Sequence, residues 1–209
     1  MAVDVNAVAA ALAGVRDRIA GAGGRDVDVL AVTKGFGPDA IRAALDAGCR
    51  SIGENYAQEL LAKRDALDGA DVHFIGQLQT NKVRQIADLV DLYETVDRPS
   101  LAREIAKRSP GAAVLVQVDT SGEPGKGGVA LDGLDELVEQ VVGLGLDLRG
   151  LMTVGPTVGG AEAARPGFRA VRAAVDRLGL AICSMGMTDD LEVAVQEGST
   201  QVRVGTALF

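Results

Sequence analysis

Val27-Asp28-Val29-Leu30-Ala31-Val32-Thr33-Lys34 is an apolar run that stops on a lysine, and Gly37-Pro38-Asp39-Ala40-Ile41-Arg42 opens a helix directly behind it. Continuous apolar runs of this length suit strands buried on both faces, as in parallel sheets flanked by helices. The same unit repeats along the chain. Further strands are expected near 51–54, 72–76, 90–95, 113–119, 148–154, 180–184 and 200–204, most of them separated by a helix signal. Pro38, Pro99 and Pro166 are placed in first helical turns, Gly48 just past a helix end, and Asp132 at an N-cap. Ahead of the first strand, Val5, Val8, Leu12, Val15 and Ile19 form one helical stripe, which Gly21 to Gly24 terminate. Leu134, Leu137, Val138 and Val141 form a second stripe. Two Gly-bearing stretches, 121–128 and 155–160, read as loops. Eight strands alternating with helices predict a closed parallel (β/α)8 TIM barrel of class α/β, with an additional N-terminal helix. An open doubly wound sheet is the alternative, weakened because no Gly-rich dinucleotide fingerprint follows the first strand. No helix signal follows the last strand, and the opening helix could cover the gap this leaves.

Composition narrows the function classes. The 209 residues suit a single domain, 1–209, and are 47% apolar and 24% charged, as expected of a globular chain with a sizeable core. A net charge of −8 argues against nucleic acid as a partner, because phosphate backbones require a basic footprint. No apolar run is long enough for a membrane span. Cys49 and Cys183 are too few for a disulfide framework and read as reduced thiols of a cytoplasmic protein. No cluster of ligands suggests a metal. His73, the only histidine, sits between Val72 and Phe74 and reads as a core residue. Lys63, Lys107 and Lys126 read as surface residues.

In a parallel barrel the chemistry lies at the C-terminal ends of the strands. Polar residues gather there: Thr33-Lys34, Glu54-Asn55, Gln77 to Lys82, Met152-Thr153, Ser184 to Met187, and Arg203 to Thr206. A lysine at the tip of a buried strand has its charged form disfavoured. A neutral amine can form a Schiff base with a carbonyl, and pyridoxal 5′-phosphate (PLP) is the commonest cofactor held so. The loops after strands seven and eight often bind phosphate. Here Ser184 and Thr206 offer hydroxyls, and Gly186 and Gly205 allow close backbone approach. A helix expected to begin near Thr188-Asp189 points free N–H groups at an anion. Met152, Met185 and Met187 are open to either reading, core filler or site edge.

These segments, in this order, resemble the YggS/PROSC family of PLP-binding proteins, the PLP homeostasis proteins. The resemblance rests on Ala31 to Lys34, Ser51 to Glu59, His73 to Lys82, Gly150 to Thr153, Ser184 to Asp190 and Gly198 to Phe209, and covers nearly the whole chain. It implies a fold like the barrel domain of alanine racemase, with PLP on Lys34. It further implies phosphate contacts from Ser184, Gly186, Gly205 and Thr206, Arg203 facing the pyridine nitrogen, and Asn55, Met152 and Met185 at the cofactor. Asn81 and Lys82 match a motif near the rim. Asp119 stands where relatives often carry Asn. The implied role is PLP supply without substantial turnover, with PLP-dependent apoenzymes as partners, by a monomer. An amino-acid racemase is the competing reading. A racemase working on both faces of Cα needs a second acid/base opposite Lys34, which alanine racemase takes from a further β domain not expected in these residues. A Schiff-base aldolase fits Lys34 but leaves Arg203 unexplained.

Overall fold

The computed structural model describes residues 3–209. Eight parallel strands are bounded as β1 Asp28–Val32, β2 Ser51–Glu54, β3 Asp71–Phe74, β4 Leu92–Val96, β5 Ala113–Asp119, β6 Asp147–Thr153, β7 Ile182–Ser184 and β8 Gln201–Val204. Each pairs with its sequence neighbour. The ring closes through β1 on β8, in the register Asp28↔Gln201 to Ala31↔Val204. A two-residue strand, Val129–Ala130, also pairs with the end of β5. The expected barrel is therefore present, and the open sheet is ruled out by the β1–β8 ladder.

The helices are α1 Val5–Gly21, α2 Pro38–Asp46, α3 Ala57–Ala62, α4 Thr80–Ile86, α5 Pro99–Arg108, α6 Leu134–Gly143, α7 Ala161–Leu178 and α8 Leu191–Gln196. Asp4 caps α1 by accepting the Asn6 N–H. Its stripe Val8, Leu12, Val15 and Ile19 is buried, with Val5 half-buried. This stripe packs on Ala31, Leu191, Val195, Val202 and Val204. α1 thus lies between α2 and α8 and fills the expected gap in the helical ring.

Three local expectations change. Pro166 lies inside α7 rather than in its first turn. Asp132 sits in a short 3-10 turn, and Gly133 takes the N-cap of α6. The last helix starts at Leu191, not near Thr188-Asp189, because residues 188–190 form a turn in which Asp190 Oδ1 accepts the Met187 N–H at 2.6 Å.

The main core lies between sheet and helices, and includes Ile52, Phe74, Tyr93, Leu101, Val114 and Phe168 among its buried side chains. The lumen is partly polar. Glu94 of β4 accepts from Gln201 Nε2 of β8 at 2.6 Å. These strands are not neighbours in the sheet, so this bond crosses the barrel interior.

Candidate functional site

At the C-terminal end of the barrel a cavity of about 400 Å³ is lined by Val32, Lys34, Asn55, Ile75, Met152, Val154, Met187, Thr188, Asp189, Arg203, Gly205 and Thr206. Its volume falls within the range of small-molecule sites. Each residue arrives on the end of a strand or on the loop behind it, as the barrel dictates. Asn55 directly follows β2. Its carbonyl packs so closely on Gly76 that a Cβ on residue 76 would stand 1.9 Å from the oxygen, so glycine is obligatory there. Asn55 Oδ1 is buried and has no partner. A buried acceptor left open costs free energy. This one belongs to a cavity-lining residue, where a ligand donor would satisfy it.

Lys34 lies beyond the end of β1 and is exposed at the rim. The expectation of a buried strand-tip amine is therefore corrected: β1 ends at Val32, and the chain turns outward through Gly35 at φ +77°. The buried lysine is instead Lys63, at the end of α3, which the sequence reading placed on the surface. Its Nζ reaches Glu54 Oε1 at 2.7 Å, Thr33 O at 2.8 Å and Glu59 Oε2 at 3.2 Å. Burial raises the Glu54 carboxyl above its ordinary value, against the opposing pull of Lys63 and Thr33. Burial also pushes Glu59 up, but the Gly35 N–H and the cations Lys63 and Lys34 outweigh it and leave Glu59 lowered.

Arg203 is buried inside the lumen, with its head at the cavity floor. Its Nη1 donates to Ser184 O at 2.9 Å and Ser184 Oγ at 2.7 Å, and its Nη2 to Thr153 O at 2.7 Å. Burial lowers its pKa, opposed by the charges of Glu94 and Asp190; the guanidinium stays protonated. Glu94 completes the network. It takes His73 Nδ1 at 2.6 Å on one oxygen and the Ser184 hydroxyl at 2.7 Å on the other. Burial alone would raise Glu94, but His73, Arg203 and Ser184 together hold it below the ordinary carboxylate value. His73 is thus a buried residue whose Nδ1 is paired with Glu94, in keeping with the sequence reading of it as a core residue.

The structure brings together Lys34, Asn55, Met152, Arg203, Gly205 and Thr206, and leaves three proposed contacts out. The Ser184 side chain is buried in the lumen, committed to Glu94 and Arg203, and cannot also serve a phosphate. Met185 points the opposite way into the helix-side core and is fully buried. Gly186 is not among the residues lining the cavity, and a Cβ on it would stand 2.5 Å from Ala194 Cβ. Alternation explains the first two, since successive residues of a strand face opposite sides, and Gly186 lies in the turn beyond β7. Met187 and Thr188, not Ser184 to Gly186, form this edge of the cavity. Lys82 lines an adjoining cleft of about 310 Å³ with Asn55, Tyr56 and Gln77, whereas Asn81 is exposed on α4. Lys107 is exposed, and Lys126 is half-buried, donating to Gly155 O at 2.6 Å. Both cysteines are buried and free. Among the described residues, no helix is long and apolar enough to cross a membrane.

A lysine on the rim of a parallel barrel, with an arginine on the cavity floor below it, is the arrangement that the resemblance to the alanine-racemase class of barrel implies. A family model for the alanine racemase N-terminal domain matches residues 3–209. A pyridoxal phosphate homeostasis protein of Aquifex aeolicus is 41% identical over 203 residues, covering 91% of this chain and 89% of its own. Its counterpart in Escherichia coli is 39% identical over 231 residues, covering 98% and 97%. The chain belongs to the pyridoxal phosphate homeostasis protein family. PipY of Synechococcus elongatus has been solved without PLP, with TM-score 0.88 and 32% identity over 97% of this chain and 99% of its own. It has also been solved with PLP bound, with TM-score 0.84 and 31% identity over the same shares. D-threo-3-hydroxyaspartate dehydratase from Delftia is 20% identical, with TM-score 0.76; this chain covers 60% of it, and the likeness is one of fold.

Proposed function

We propose that this chain binds PLP as a Schiff base on Lys34 and serves PLP supply without substantial substrate turnover, as a cytoplasmic monomer of one domain. The observation that carries the reading is the convergence of Lys34, Asn55 and Arg203 on one cavity. The residues fit the cofactor. Lys34 supplies the amine; it adds to the aldehyde carbon, a C=N bond replaces C=O, and the oxygen leaves as water. The cofactor, when bound, supplies an electron-withdrawing ring. Arg203 keeps a positive charge at the cavity floor, and a guanidinium facing the ring nitrogen discourages its protonation and weakens the electron sink. Thr206, Thr188 and the close backbone at Gly205 line the cavity and would receive the phosphate.

The composition of the lining supports the reading without turnover. Besides Lys34, its titratable side chains are Asp189 and Arg203. Neither is a tyrosine or histidine poised to return a proton to the far face of Cα, as the racemase reading requires. Lys34 is exposed, so water reaches the amine, and the water-excluded setting that strengthens electrostatic catalysis is incomplete. The same openness suits exchange with PLP-dependent apoenzymes.

The visible spectrum of the PLP-loaded protein, before and after borohydride reduction, tests the attachment. Reduction fixes the label on the tryptic peptide holding Lys34, and Lys34→Ala loses the visible band while remaining folded. A band retained in that variant, with the label on Lys82 or Lys63, overturns the assignment. Cα deuterium exchange with free L-amino acids above about 1 s⁻¹, abolished by Lys34→Ala, overturns the carrier reading in favour of an enzyme.

A further inference from the structure

Lys34 stands outside the sheet ladder, yet the backbone on either side of it is held. Thr33 O accepts from Lys63 Nζ at 2.8 Å. The Gly35 N–H donates to Glu59 Oε2 at 2.8 Å. The Thr33 hydroxyl donates to Glu54 Oε1 at 2.6 Å, the oxygen that Lys63 also contacts at 2.7 Å. Lys63 then closes the circuit on Glu59 at 3.2 Å. One ammonium therefore ties together the carbonyl before Lys34, the carboxylate that holds the amide after it, and the strand end beside it.

We propose that Lys63, with Glu59 and Glu54, is a positioning device for Lys34: it fixes the Thr33-Lys34-Gly35 segment so that the Lys34 amine is presented to the cavity. The inference rests on the reading of Lys34 as the attachment residue. Three observations support it. Gly35 adopts φ +77°, a left-handed turn favourable to glycine, so the segment leaves the strand abruptly and has no ladder partner for Lys34. The Lys63 side chain is only 5% exposed and Glu54 is 0% exposed. A buried ion pair of this kind is a poor source of net stability compared with apolar packing, so its contribution here is the geometry it imposes. Third, Lys63 Nζ is buried among three acceptors, Thr33 O, Glu54 and Glu59, and is held there rather than at the cavity. This separates the two neighbouring lysines into one that holds and one that reacts.

The test compares Lys63→Met, Lys63→Arg and Glu59→Ala with the full-length wild type. Three readouts are taken: hydrogen exchange at the Gly35 amide without cofactor, the rate at which added PLP becomes borohydride-trappable on the Lys34 peptide, and the affinity for pyridoxine 5′-phosphate, which has no aldehyde. Lys63→Met and Glu59→Ala are expected to slow trapping on the order of 10–100-fold, the penalty of a misplaced reacting group. Gly35 exchanges faster in both, pyridoxine 5′-phosphate affinity is unchanged, and Lys63→Arg recovers part of the rate. If Lys63→Met fails to fold, Glu59→Ala, altered at the half-exposed edge, decides. Wild-type trapping in a folded variant overturns the proposal, as does a parallel loss of pyridoxine 5′-phosphate affinity, which marks a general structural effect. Trapping that survives Lys34→Ala defeats the attachment reading itself, and that result is read independently of the Lys63 series.

Discussion

Replacing Ser184 by alanine separates a phosphate ligand from a structural hub. Ser184 Oγ donates to Glu94 Oε2 at 2.7 Å and accepts from Arg203 Nη1 at 2.7 Å and Gln201 Nε2 at 3.0 Å. In the alanine variant Arg203 still has the carbonyls of Ser184 and Thr153, and Glu94 Oε1 still has His73 and Gln201. The loss falls on Glu94 Oε2, a fully buried charged acceptor left without a partner. Such a group costs roughly 3 kcal/mol. For a chain of this length that corresponds to a fall in Tm of about 6–12 °C. Thermal unfolding by circular dichroism measures it, and PLP and pyridoxal affinities are taken in parallel. The expected outcome is a large drop in Tm with both vitamers affected alike, through the shared Arg203. A Tm within about 1 °C of wild type, with affinity lost for PLP but kept for pyridoxal, refutes the hub and restores the hydroxyl to the phosphate.

Glu94 is held below its ordinary value, so its contribution to stability is complete above the unfolded glutamate value and is lost as pH falls through the lower folded one. Urea titrations across that acid range should show a shallower pH dependence in Glu94→Gln than in wild type; identical slopes would exclude Glu94 from the acid limb. Gly76→Ala places a methyl 1.9 Å from the Asn55 carbonyl, so Asn55 must move. Stability should fall by about 1–3 kcal/mol and PLP retention with it, checked by denaturation and by dialysis of the loaded protein. Burial pushes the Cys183 thiol up to about 12. It should resist thiol reagents in the native state and react only on unfolding, as mass spectrometry of the labelled peptide would reveal.

The fold was legible because strand runs and helix punctuation alternate without interruption. Six of the nine proposed cofactor contacts fall on the cavity for the same reason, since strand ends in a parallel barrel share one face. The misses have a common source. Ser184 was read as the last residue of its strand, and it does end β7, but it was grouped with Met185 and Gly186 as one site edge. The twofold period then sends the serine into the lumen and the methionine to the helices. The signal for Lys63 was present but indirect. Glu54 shares the helix-facing side of β2 with Ile52, and a carboxylate there needs a cation from the helix above it. Lys34 failed in the other direction, because the Gly35 turn that lifts it out of the strand is visible only in the backbone. The lumen network was not legible at all: His73, Glu94, Gln201 and Arg203 are far apart in sequence and meet only once the ring is shut.

The placement of α1 has a kinetic consequence. Its apolar stripe packs on Leu191, Val195, Val202 and Val204, and β1 pairs only with β2 and β8. Of the neighbours of α1, Ala31, Ala44 and Cys49 are near in sequence, whereas Leu191, Val195, Val202 and Val204 lie at the far end of the described residues. Contacts of such sequence separation slow folding through the entropy of closing the loop between them. The seam between β1 and β8 should be the late-closing edge of the molecule, and until it shuts, the α1 stripe and the open edge of β1 are the surfaces a nascent-chain chaperone would have to cover.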